Sequence, residues 1–272
     1  MSDNVLILEQ LAVKIHSKGL IDREVLDTLR DVGVLSLTDY CARKNISLEE
    51  TLEFLGYVSP QIGFLLLQIN APRMILNWNG AVSVLGLIEP TFIANYLGTK
   101  IRRKDTLFLS GTKIITHRNV IDYVLISAKV GGKIVFIPIE IDSLTVTYET
   151  PLRGLGTMLT YISLNRQIDV EPRRIFDISS YRDILGRYVA MIQAILSGLS
   201  KRIVDLSRDM LDKKDNESII DLAIESFGIH LLNEESFVRF LLDAYVELKA
   251  IMETMRMCLL QIKIHSTEKN NK

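Results

Sequence analysis

The residues of this chain that could do chemistry are few and scattered. The stretch SGTKIITHRNVIDYVLISAK, residues 110–129, sets one hydroxyl, Thr116, after two isoleucines, with His117 beside it. A threonine there can end a strand for packing reasons alone, since β-branched side chains suit strands. It can also offer its hydroxyl to a ligand lying against the strand end, and His117 is then a candidate neighbour of that ligand. Histidines 16, 117, 230 and 265 show no metal-ligand spacing and read as surface or turn residues. Cys41 and Cys258 are far apart and suggest neither a disulfide framework nor a metal site. Buried, reduced thiols in a cytoplasmic protein are the reading. Asp183 and Glu235 read as solvated helix charges.

Three zones must position these groups. Up to about Leu76 the chain reads as helical. Asp22 can cap a helix that runs toward Arg30, with Gly33 just past its end. Ser47 and Glu50 form a capping-box pattern. Ser59-Pro60 is an N-cap followed by proline at the first helical position. The helix after it, QIGFLLLQI, is apolar on all sides and is expected to be deeply buried.

From about 80 to 176 the pattern changes. AVSVLGLIEP, TLFLSGTKIIT, VIDYVLISAKV, KIVFIPIEI and LTVTYET are short runs rich in β-formers. Gly131-Gly132 reads as a hairpin turn and Pro138 as an edge or bulge position. A compact antiparallel sheet or barrel is expected. From about Ser179 the chain reads as two long helices, one from near Ser180 to Leu211 and one from near Glu234 to about His265. In the second, Phe237, Leu241, Ala244, Leu248, Ile251, Met255, Cys258 and Ile262 form a heptad seam. Met252, Leu259 and Tyr245 fall off that seam, which implies apolar surface for other subunits to cover. The C-terminal HSTEKNNK reads as a frayed tail.

With 272 residues, a formal net charge of -1 and 48% hydrophobic residues, the chain can bury a sizeable core. There is no basic stripe with interleaved aromatics, which argues against nucleic-acid binding. The start, MSDNVLILEQ, has early acidic residues and no basic n-region, unlike a signal peptide. The most apolar run, Ile62 to Ile69, is too short for a membrane span.

Five segments, in order, resemble the acyl-CoA dehydrogenase family. DTLRDVGVLSLTDYCARKNISLEETLEFL at 27–55 resembles its early helices. IEP at 88–90 is similar to its Thr-Glu-Pro turn, and SGTKIIT at 110–116 to its Asn-Gly-x-Lys-x-Trp-Ile-Thr strand, one residue shorter. PLRGLGTMLTYISLNRQIDVEP at 151–172 resembles the segment leading to Val-x-Val-Pro. FGIHLLNEESFVRFLLDAYVEL at 227–248 resembles the Phe-Gly … Leu-Ala-Asp-Met-x-x-Glu helix.

The resemblance implies an α+β fold with an N-terminal helical domain (1–79), a middle antiparallel β-barrel (80–176) and a C-terminal long-helix bundle (177–272). The bundle would be shortened, since the family's last helices have no counterpart. The resemblance also implies homo-oligomers, or hetero-oligomers with a related subunit, built through that bundle. The implied reaction is oxidation of an acyl-CoA thioester, with a carboxylate taking the α proton and FAD taking a hydride.

By resemblance, Thr116 would sit beside the flavin ring. Ile114 falls where a tryptophan stacks on it, Leu87 would contact the pyrimidine edge, and Phe227 matches a cofactor-side aromatic. Other positions depart from the family. Ile88 replaces a hydroxyl residue ahead of Glu89-Pro90, and Ile93-Ala94-Asn95 replaces Gly-Ser-Asp. Ile224 stands for an arginine and Glu235 for a glutamine, and a carboxylate near a pyrophosphate repels it. One family position for the catalytic base aligns with Gly186 in Leu185-Gly186-Arg187, with Asp183 nearby. No residue is assigned as the catalytic base. Two functions stay open: an FAD-dependent oxidoreductase, and a non-catalytic relative that serves as a structural or regulatory subunit.

Overall fold

The computed structural model describes residues 2–76, 83–86, 100–103, 107–130, 133–168, 174–176, 178–213 and 234–270. Five helices come first: α1 Ser2–Lys18, α2 Arg23–Asp31, α3 Leu37–Lys44, α4 Leu48–Val58 and α5 Pro60–Leu76. Their boundaries follow local chemistry. The Asp22 carboxylate accepts from the Val25 amide at 3.1 Å, and Gly33 follows α2 at φ 72°. The Ser47–Glu50 capping box forms in both directions. Ser59 ends α4 and starts α5 at Pro60.

Every residue from 60 to 72 is buried, so α5 is the centre of the helical layer. A buried polar group must be hydrogen-bonded, and the polar residues of α5 are. Asn70 accepts from the Leu37 amide at 3.1 Å and donates to the Leu35 carbonyl at 2.9 Å. Gln68 donates to the Tyr188 hydroxyl. Gln61 donates to the Gly154 carbonyl at 2.7 Å.

Eight strands follow: β1 Ser83–Gly86, β2 Lys100–Arg103, β3 Leu107–Thr116, β4 Tyr123–Val130, β5 Lys133–Glu140, β6 Thr145–Leu152, β7 Thr157–Ile168 and β8 Arg174–Phe176. They form one sheet in the order β6-β7-β3-β2-β4-β5-β8, with β1 beside β4. This corrects the expected barrel in two respects. The sheet is open, with β6 and β8 at its ends and no pairing between them among the described residues. It is also mixed, because β1 and β2 both run parallel to β4. Alternation along single strands reports which face is inward, but closure and strand direction depend on long-range pairing. Local pairing follows expectation: β4 and β5 are antiparallel, with Val130 opposite Lys133 across Gly131-Gly132, which lie outside the described residues. Pro138 lies opposite Leu125 of β4, and among the described residues it has no partner on β8.

Two long helices complete the chain, α6 Ile178–Lys213 and α7 Glu234–Asn270. The segment HSTEK continues α7 rather than fraying. α6 crosses α4 so closely that a Cβ on Gly198 would lie 1.8 Å from the Glu53 carbonyl oxygen. The expected heptad seam of α7 faces inward: Leu241, Ala244, Leu248, Ile251 and Met255 are all buried. The side chains of Cys258 and Ile262 lie outside the description. Met252 is also buried, and Tyr245 and Leu259 pack on the core. Met252 thus leaves no surface for a partner to cover, while Tyr245 and Leu259 are only partly buried. Among the described side chains of α7, the large apolar residues that stay open are Leu242 (44% exposed), Val246 (64%), Met257 (47%) and Leu260 (60%).

Candidate functional site

β3 delivers Thr116 and Ile114 to one face of the sheet, opposite Leu159 and Tyr161 of β7. Both are covered by protein: Thr116 is 3% exposed and Ile114 7%. The Thr116 hydroxyl lies 3.1 Å from Nδ1 of His117. His117 turns the chain out of β3 at φ 58°, a left-handed conformation uncommon outside glycine. Its amide donates to the Thr157 hydroxyl at 2.8 Å, and its ring packs on Phe64 of α5 at 5.6 Å. The ring is fully buried, and among the described residues Nε2 has no partner. The expected turn position of His117 holds, but its expected exposure does not. Burial pushes its pKa down to about 3, so the ring stays neutral.

On the other face of β3, Lys113 is buried and donates to the Ser127 hydroxyl of β4 at 2.7 Å. Ser127 in turn lies 3.3 Å from the hydroxyl of Tyr181, at the start of α6. Period-two alternation in KIIT places Lys113 on the same face as Ile115, so a lysine pointing inward was the signal available in the sequence.

The connection between β6 and β7, residues 153–156, gathers the rest of the molecule. Its Gly154 carbonyl accepts from Gln61 of α5, and its Gly156 carbonyl accepts from the Ile21 amide at 2.7 Å. Its Gly154 and Leu155 amides donate to the Glu247 carboxylate of α7 at 3.3 and 2.9 Å. Gly156 sits at φ 59°, and a Cβ on Gly154 would lie 2.1 Å from the Ala244 amide nitrogen. Nothing in the spacing of α7 marks Glu247, because its partners are ninety residues away in the chain.

Burial raises the Glu247 carboxyl to about 7, against the lowering effect of the amides it accepts from. A carboxyl raised in the folded state binds its proton more tightly than in the unfolded chain. Stability from Glu247 is therefore present at low pH and is lost as pH rises from about 4.5 to 7. His117 works in the opposite sense, losing stability as pH falls from 6.5 toward 3. Glu247→Gln isolates the first effect. The melting temperature of the wild type relative to this variant is expected to fall as pH rises through the Glu247 window and then level off. A flat difference would refute the assignment.

The remaining candidate positions are dispersed. Gly186 lies on α6, and a Cβ there would meet nothing within 4 Å. Asp183 is exposed, 3.7 Å from Arg182. Glu235 lies in the first turn of α7, and its side chain is not described. Leu87, Ile88, Glu89, Pro90, Ile93, Ala94, Asn95, Ile224 and Phe227 lie outside the described residues. Cys41 is half-buried, with Sγ 3.2 Å from the Thr51 hydroxyl. A groove of about 540 Å³ lies beside the turn after β3, lined by Arg23, Arg118, Asp122, Glu140 and Glu149 but not by Thr116 or Ile114. Among the described residues there is no cluster of metal-ligating side chains, and no helix is long and apolar enough to cross a membrane.

No protein-family model matches the chain, and no curated protein matches its sequence. Solved structures do match in fold. A glutaryl-CoA dehydrogenase from Mycobacterium smegmatis, in complex with FADH2, superposes with a TM-score of 0.62 at 17% identity, over 98% of this chain and 76% of that one. Apo-form PigA gives 0.53 at 15%, over 98% and 80%. The ChsE4-ChsE5 complex from Mycobacterium tuberculosis gives 0.53 at 15%, over 97% and 79%. At such identities the likeness establishes architecture alone, and the architecture of this chain is that of the acyl-CoA dehydrogenases.

Proposed function

We propose that the chain is a non-catalytic subunit with acyl-CoA dehydrogenase architecture, acting within an assembly rather than oxidising an acyl-CoA thioester itself. Its three parts would be 1–79, 80–176 and 177–272. The observation that carries this reading is the state of the strand that would face the flavin. Contact with a ring system needs open side chains, yet Thr116 and Ile114 are covered and the Thr116 hydroxyl already neighbours His117. The described residues of β3 thus do not fit an FAD ring as they stand. The base position supports the same reading, since Gly186 has no carboxylate and Asp183 is exposed beside Arg182. One structural neighbour, ChsE4-ChsE5, is itself a complex, which suits an assembly with a related chain or with a second copy.

A second reading has one observation in its favour. Thr116 ends β3 in the strand that resembles the family's flavin-side strand, and one neighbour carries FADH2. Under it, Leu87, Ile114, Thr116 and Phe227 would hold FAD, and an acyl-CoA would be the substrate. A visible spectrum of the purified protein, before and after incubation with FAD, separates the two. The expected result is no flavin bands and no uptake. Bound FAD that is lost in Thr116→Val would overturn the first reading and establish the second.

A further inference from the structure

Among the described residues, two side-chain atoms are buried without a hydrogen-bond partner, and they belong to consecutive residues: Nε2 of His117 and Nε of Arg118. Buried polar groups are bonded in the great majority of native structures, so two adjacent exceptions ask for a cause. A third cost falls on the same turn. His117 has φ 58°, and the only other described non-glycine residue at positive φ is Asn45. Asn45 closes a helix, where that conformation is ordinary. Sparsely populated backbone held in place by its surroundings is a mark of switch segments.

What these costs hold in place is a cover. The His117 ring lies against Phe64 of α5 at 5.6 Å, with Nδ1 3.1 Å from the Thr116 hydroxyl, and Thr116 is 3% exposed. Either tautomer leaves one ring nitrogen unpaired. If Nδ1 donates to Thr116, Nε2 is a bare acceptor; if Nδ1 accepts, Nε2–H is a donor that meets no acceptor. Protonation makes both nitrogens donors and puts a charge beside Phe64. No neighbouring group offsets that charge. α5 has no ionisable side chain from 60 to 72, and β7 offers the Thr157 hydroxyl to the His117 amide. Lys113 bonds to Ser127 on the other face of β3, and Arg118 is paired with Glu149 at 3.5 Å. Burial is accordingly the sole cause that lowers the pKa of His117. Release needs little movement. β3 holds the near end of the turn, and Asn119 pins the far end by donating to the Ile21 carbonyl, so the movable length is 117 and 118.

We infer that the turn at 117 and 118 is a gate, which covers Thr116 while the His117 ring is neutral and opens when acid protonates the ring and drives it from beneath α5. On opening, the His117 amide leaves Thr157, the backbone leaves its left-handed conformation and the Thr116 hydroxyl meets solvent. The gate works with or without flavin, so its failure leaves the proposed function standing.

Hydrogen exchange of the full-length chain without flavin tests it, resolved to single amides and divided by the intrinsic rate at each pH. A ring that titrates at about 3 when covered and at 6.5 when released shifts the balance toward the open turn about thirtyfold between about pH 7.5 and about pH 5. The amides to follow are those of His117 and Val120, which donate to the Thr157 hydroxyl and the His117 carbonyl. Both are expected to exchange about thirtyfold faster at the lower pH, while the amides of β4 and β5 keep their protection. His117→Phe retains a ring against Phe64 without a nitrogen, and His117→Asn accepts the left-handed backbone without titrating. Both variants should lose the pH dependence at these two amides. Protection at 117 and 120 that stays constant with pH would overturn the inference. So would a loss shared equally by β4 and β5, which is global unfolding. A pH dependence that persists in both variants would also overturn it, since the titrating group then lies elsewhere.

Discussion

Leu248→Asp is expected to yield no folded protein. Leu248 is fully buried on the inner stripe of α7. An ionised carboxylate there has no partner to offset its lost hydration, and an unpaired buried charge is among the few single changes that cost more than about 4 kcal/mol. Whole domains are stable by only about 5–15 kcal/mol. Leu248→Ala grades the same site and should cost about 2–5 kcal/mol through lost burial and the cavity left behind. Far-UV circular dichroism and a urea titration read both variants. Val246→Asp is the control two residues away, on a side chain that is 64% exposed. A Leu248→Asp chain that kept the wild-type spectrum and urea midpoint would show that Leu248 does not lie in the core.

Gly198→Ala should destabilise the chain by about 3 kcal/mol or more, the upper range for an overpacked core. The added Cβ would lie 1.8 Å from the Glu53 carbonyl oxygen and 2.7 Å from the Tyr57 amide. Both are backbone atoms of α4, so no rotamer change relieves the clash, and α4 and α6 must separate along their whole crossing. Gly56 is the reciprocal position, with a Cβ 2.1 Å from the Ile195 carbonyl oxygen. Gly186→Ala lies on the same helix with open space around it and should instead stabilise α6, by up to about 1 kcal/mol. Urea midpoints of the two variants test the crossing. Equal midpoints for Gly198→Ala and Gly186→Ala would mean that the helices do not meet at Gly198.

The parts of this structure that the sequence announces are those decided within a few residues. Asp22, Gly33, Ser47 with Glu50, and Ser59-Pro60 mark helix ends because capping is local. The runs around 107–116 and 123–140 mark strands because alternation is local. The heptad in α7 announces a seam but not what lies against it, and here α6 and the rest of the core occupy it. Leu242 and Val246 are separated from that seam by only one or two positions, and their opposite azimuth appears only once the helix is docked. At the candidate site, the strand end at Thr116 was legible. Its burial was not, because it depends on His117 turning inward toward Phe64, fifty-three residues earlier. Glu247 was illegible for the same reason on a larger scale.

The four residues 153–156 carry a consequence for how the chain folds. The N-terminal third, the sheet and α7 all anchor on this one turn through contacts whose partners are distant in the chain, Leu155 with Glu247, Gln61 with Gly154 and Ile21 with Gly156. Closing such long loops costs entropy before any contact repays it, which slows folding in proteins rich in distant contacts. The turn cannot be fully bonded until the last helix has been synthesised. The nascent chain therefore holds its first five helices and its sheet in an incompletely locked state until α7 arrives, and the final step of folding couples all three regions at once.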